Sequence, residues 1–90
     1  MNAERRKSLD AIISQLEELK SQIEGAKSSL EDPMGEEQEY YDNMPESFQN
    51  GEKGERAQAA VSAMESADGS LDEAVTALEA AIASIEEAKE

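Results

Sequence analysis

Apolar residues between Ala57 and Lys89 fall at Ala57, Val61, Met64, Leu71, Val75, Leu78, Ile82 and Ile85, with Asp68 in the one gap. Their steps alternate four and three, the signature of a heptad seam. Val61, Asp68, Val75, Ile82 and Lys89 take the a positions; Ala57, Met64, Leu71, Leu78 and Ile85 take the d positions. Every g position is alanine (Ala60, Ala67, Ala74, Ala81, Ala88), and the e positions are Gln58, Glu65, Asp72, Glu79 and Glu86. The pattern predicts a helix over about residues 55–89, with one edge reduced to methyl groups and the other acidic.

A second pattern runs over about residues 3–30. Leu9, Leu16, Ile23 and Leu30 form its a line, and Ile12, Leu19 and Ala26 its d line. Arg6, Ile13, Lys20 and Lys27 occupy e; Gln15, Gln22 and Ser29 occupy g. In an antiparallel pair e faces e, so the basic e residues here would meet the acidic e residues of the later helix. A parallel pair would lose that match. The expected fold is therefore all-α, an antiparallel helical hairpin resembling a coiled coil. Setting Leu30 opposite Ala57 would place Leu16 opposite Leu71, Lys20 between Glu65 and Asp72, and Arg6 between Glu79 and Glu86. Two helices leave much of each seam open, and Ile13 widens the first. A homodimer packed as a four-helix bundle is thus expected.

Asp68-Gly69-Ser70 is the one fault in the later seam. Asp-Gly signals a turn, and Ser70 with Glu73 has the form of a capping box. The heptad phase passes through unbroken, which favours a continuous helix weakened at the glycine. Asp68 would then face the seam or tip outward to solvent, and the outward position is the simpler expectation.

Residues 31–54 connect the two helices. Asp32-Pro33 reads as a helix start, with aspartate as cap and proline at the first helical position. A short helix to about Asp42, a break at Asn43-Met44-Pro45, one more turn to Gln49 and an end at Asn50-Gly51 and Gly54 are predicted. All three aromatic residues (Tyr40, Tyr41 and Phe48) lie here, with Met44 among them and Glu36, Glu37, Glu39 and Asp42 around them. The aromatics either cap the open end of the hairpin core or stay exposed as binding anchors. Tyrosine surrounded by acid suits an interface, so these eight residues are the candidate partner-binding site.

The run EEQEYYDNMPESFQNGEKGERA, residues 36–57, resembles the central signature of a group of small acidic helical proteins encoded by bacteriophages, prophages and related mobile elements. The resemblance implies a phage or mobile-element setting and no particular mechanism.

Charge and composition narrow the function. The 90 residues carry 22 acidic and 8 basic groups, a net −14. Residues 1–30 balance at zero, residues 31–54 carry −7 and residues 55–90 carry −7. A field of that sign repels nucleic acid and anionic membrane and attracts basic protein surfaces. Histidine and cysteine are both absent, which removes the commonest general base, thiolate chemistry and the usual nitrogen and sulfur metal ligands. The lack of cysteine also fits a reducing cytoplasm. No phosphate-binding loop or calcium loop occurs, so neither an enzyme nor a cofactor is expected. The expected role is inhibition of a host protein with a basic surface, such as a restriction or CRISPR-type nuclease, by an acidic DNA-mimic surface. A structural homo-oligomeric adaptor is the alternative. A sponge for a signalling nucleotide would rest on Arg5-Arg6-Lys7 alone.

Overall fold

The computed structural model describes all 90 residues, Met1–Glu90. It contains three helices and no strand: α1 (Ala3–Asp42), α2 (Glu46–Gln49) and α3 (Glu52–Ala88). The two long helices pack on each other, as the heptad patterns require. Two compact units divide the chain: residues 1–25 with 71–90, and residues 26–70.

α1 starts where Asn2 caps it, its side-chain Oδ1 accepting from the Arg5 backbone N–H at 2.8 Å. It does not end near Leu30 as expected. It runs straight through Pro33 to Asp42, so Asp32-Pro33 is not a helix start. The reason lies in spacing: Leu30, Met34, Glu37, Tyr41 and Met44 are all half-buried, continuing the alternation of four and three. Tertiary burial on that line outweighs the missing proline hydrogen bond.

The longer α1 moves the register. In the first unit Lys20 pairs with Glu79 at 3.1 Å, a full heptad beyond Asp72, where it was expected. Arg6 donates from Nε to the Lys89 carbonyl at 3.0 Å, and Lys89 pairs with Asp10. The antiparallel direction therefore holds, as does the pairing of Lys20 with an acidic e residue of α3, while Arg6 reaches a backbone carbonyl and the residue-by-residue register differs.

The seam of α1 is also rotated. Its a residues Leu9, Leu16 and Ile23 are half-buried, but Ile12 and Leu19 remain 41% and 47% exposed. The e residue Ile13 is instead buried, at 6% exposed, and Lys20 is half-buried beside it. One neighbour can cover only one flank of an apolar face this wide. α3 covers the flank that carries Ile13 and Lys20; on α3 Ala74 and Ala81 are half-buried, while Asp72, Glu79 and Glu86 are exposed.

In the second unit the densest packing lies where α3 begins. Ala57 and Val61 are 2% and 7% exposed, and Gly54 is buried among them. α3 passes unbroken through Asp68-Gly69-Ser70. Asp68 does not tip outward: it is half-buried, in phase with the seam, and the half-buried Lys27 belongs to the same unit.

Candidate protein-binding surface

The candidate residues all lie in the second unit, on the last turns of α1, the short α2 and the turn between them. The turn is closed by its own backbone. Asn43 N–H donates to the Glu39 carbonyl at 3.0 Å and Met44 N–H to that of Tyr41 at 3.1 Å, ending α1. Pro45 opens α2 with φ −57° and ψ 148°, and its carbonyl accepts from Phe48 and Gln49. Gln49 then ties three elements together. Its side-chain Nε2 donates to the Tyr41 carbonyl at 3.0 Å, and its backbone lies directly against Gly54 of α3. A Cβ on Gly54 would fall within 2.6 Å of the Gln49 Cα and closer still to its carbonyl.

This clasp sorts the aromatic residues. Tyr41, on the side of α1 that follows the seam, and Met44, in the turn after it, are half-buried, whereas Tyr40 and Phe48 are 52% and 51% exposed. The two possible roles are divided between them: one tyrosine and the methionine fill the end of the core, the other tyrosine and the phenylalanine face solvent. Lys53 Nζ rests over the Phe48 ring, 5.5 Å from its centre, a cation on an aromatic face. Among the acids, Glu36, Glu39 and Asp42 are exposed and Glu37 is half-buried. Asp42 accepts from Gln38 Nε2 at 3.0 Å.

The electrostatics of this end are uneven. Residues 26–70 hold eleven acidic and three basic groups, a net −8. Glu46, Glu52 and Glu55 sit in the first turns of α2 and α3, where the helix dipole favours acid. Glu36, Glu37, Glu39 and Asp42 sit in the last two turns of α1, which has no basic residue in its last turn. There the carbonyl ends already carry partial negative charge, and the dipole disfavours the two carboxylates of the last turn, Glu39 and Asp42. Acid at that place does not serve the stability of the helix.

In the first unit, the Glu79 hydrogen bond raises the Lys20 pKa above its ordinary value, as the Asp10 hydrogen bond does that of Lys89. A raised lysine pKa stabilises the fold while the lysine stays charged. The contribution is therefore present at neutral pH and lost only as pH rises beyond the ordinary lysine value of 10.5. Lys20→Glu should lower the thermal midpoint, more at ~0.01 M salt than at ~1 M, because the screening length shrinks from ~30 to ~3 Å. Glu79→Lys in the same chain should recover the loss, which thermal melts of the two single variants and the double variant would show.

Arg5, Arg6 and Lys7 are all exposed, and Arg6 is engaged with the Lys89 carbonyl instead of Glu79 or Glu86. No group of three or more carboxylates is placed to hold a metal ion, and no helix is long and apolar enough to cross a membrane. No protein-family model matches the chain, and no curated protein or solved structure matches it either.

The backbone clasp and the dense packing at the start of α3 were not anticipated from sequence. The available signal was a glycine at position 54, a place inside a helix where alanine would otherwise be preferred.

Proposed function

We propose that the protein is a non-enzymatic inhibitor from a phage or mobile element, and that the acidic end of its second unit occupies a basic, nucleic-acid-binding surface of a host protein. A restriction or CRISPR-type nuclease is the target class. The observation that supports this most is the exposure of Tyr40 and Phe48 within the acidic end, beside carboxylates that the α1 dipole penalises. Charge steers the approach, and exposed aromatics supply the desolvated contacts that charge alone cannot. The cation on the Phe48 ring is the kind of contact a lysine- or arginine-rich partner would make. The inhibitor acts in the cytoplasm of the bacterial cell and as a homodimer, a four-helix bundle built from two copies.

The test uses the whole protein as bait in bacterial extract, followed by binding measurements on the captured target. The target should be a nucleic-acid-binding protein, double-stranded DNA should compete, and salt should slow association steeply. Tyr40→Ala or Phe48→Ala should weaken binding by ~2 kcal/mol or more at one of the two while the helix signal stays unchanged. A captured target with no basic surface would exclude the mimic and leave the coiled-coil adaptor as the better reading.

A further inference from the structure

The large apolar side chains left open are Met1, Ile12, Leu19, Tyr40 and Phe48; none belongs to α3. The seam of α3 is buried or half-buried from Ala57 to Lys89, while on α1 only the a line from Leu9 and the e line from Ile13 are. Its d line in the first unit, Ile12 and Leu19, is a second seam with no partner. Between and beside these residues lie Gln15, Leu16, Glu18 and Gln22, which with Leu19 line a shallow groove. The chain exposes 6345 Å², more than the ~5,200 Å² of a compact protein of its mass.

The chemistry of this face selects its occupant. The polar groups of the groove are the carboxamides of Gln15 and Gln22 and the carboxylate of Glu18, and exposed Arg5 lies one heptad before Ile12 on the same line. A basic peptide would find a single acid there, and an acidic one a single base. A net −14 keeps anionic lipid and nucleic acid away. Within the first unit, residues 1–25 carry −1 and residues 71–90 carry −5, so a second copy meets less repulsion along α1 than along α3. Carboxamides both donate and accept, and can therefore pair with their own equivalents across a two-fold axis.

We infer that this face of α1, centred on Ile12 and Leu19, docks the same face of a second copy of the chain. The inference supplies the surface for the dimer proposed above and does not depend on the inhibitor role. The two also differ in sign: salt weakens binding to a basic target, whereas it tightens a contact between two acidic copies by screening their repulsion.

The experiment is sedimentation equilibrium of the full chain alone, from ~1 to ~100 µM, a range that spans ordinary interface affinities. The wild type should show twice 9.8 kDa. Leu19→Glu should weaken the dimer ~30-fold or more with helix content unchanged, because Leu19 is exposed in the single chain. Ser21→Glu, adding the same charge at an exposed position on the far side of α1, should leave the dimer intact. A wild-type monomer at ~100 µM overturns the inference, since micromolar self-association would then be absent. So does a dimer that survives Leu19→Glu, or one that both glutamates dissociate equally, or a mass above that of two chains.

Discussion

Replacing Gly54 with alanine should cost more stability than any other single methyl group added to this chain. The added Cβ would meet the Gln49 backbone, with its Cα at 2.6 Å and its carbonyl carbon at 2.5 Å. No rotamer can relieve a clash with backbone. Gln49 cannot retreat freely, because its side chain holds the Tyr41 carbonyl and its own N–H is bonded to Pro45. Either α2 lifts off α3, opening the packing around Ala57 and Val61, or the start of α3 unwinds. Overpacking typically costs ~1–3 kcal/mol, and the upper end applies here. For a domain of this size that lowers the thermal midpoint by roughly 10–20 °C. Gly51→Ala is the matched control: its Cβ would lie 3.4 Å from the Ser47 carbonyl, close to ordinary contact, and should change the midpoint little. Thermal melts followed by circular dichroism would decide the point. Equal midpoints for Gly54→Ala and the wild type would mean that α2 does not press on α3.

The same clasp shows what could be read from sequence and what could not. The seam of α3 was legible, because a sustained heptad phase admits one buried face and the unbroken phase carried the helix across Gly69. The direction of pairing was legible from charge, since only an antiparallel pair sets Lys20 against acid. Register was not. It depends on where α1 ends, and that was judged from Asp32-Pro33, a local signal. Local preference is worth ~3 kcal/mol at most for a proline. Fully burying a large apolar side chain is worth ~1.5–3 kcal/mol, so the half-buried Met34, Tyr41 and Met44 together offset a cost of that size. The rotation of α1 was hidden for a different reason. Ile12 and Ile13 both suit a core, and only the partner's shape decides between them. In the fold Ile13 is the one covered, and Ile12 and Leu19 stay outside.

Asp68 and the aromatic segment illustrate the limit from the side of function. Periodicity placed Asp68 in the seam, and its half-buried position follows that periodicity against the preference of a carboxylate for water. For Tyr40, Tyr41 and Phe48 the sequence leaves two roles open, core cap or exposed anchor, and adjacent residues on a helix point about 100° apart. Once α1 continues to Asp42, Tyr41 falls on the covered side and Tyr40 must fall outside it. The candidate surface is thus a consequence of helix length, which the sequence patterns around it left unsettled.

Pro33 offers the largest expected gain. It lies inside α1, exposed to solvent, and lacks the N–H that a helix interior would direct to the Ser29 carbonyl. Proline in a helix interior costs ~3 kcal/mol relative to alanine. Part of that is offset, since proline also restricts the unfolded chain by ~0.4–1 kcal/mol. Pro33→Ala should therefore stabilise the protein by ~2 kcal/mol, raising the thermal midpoint on the order of 10 °C. Gly69→Ala bounds the comparison. Its Cβ would meet nothing within 4 Å, so it should give the smaller helix-propensity gain of ~0.5–1 kcal/mol. Chemical denaturation of the two variants and the wild type would separate the effects. If Pro33→Ala gains no more than Gly69→Ala, the α1 backbone around residue 33 already accommodates the ring. If it loses stability, the restriction that proline places on the unfolded chain outweighs its missing hydrogen bond.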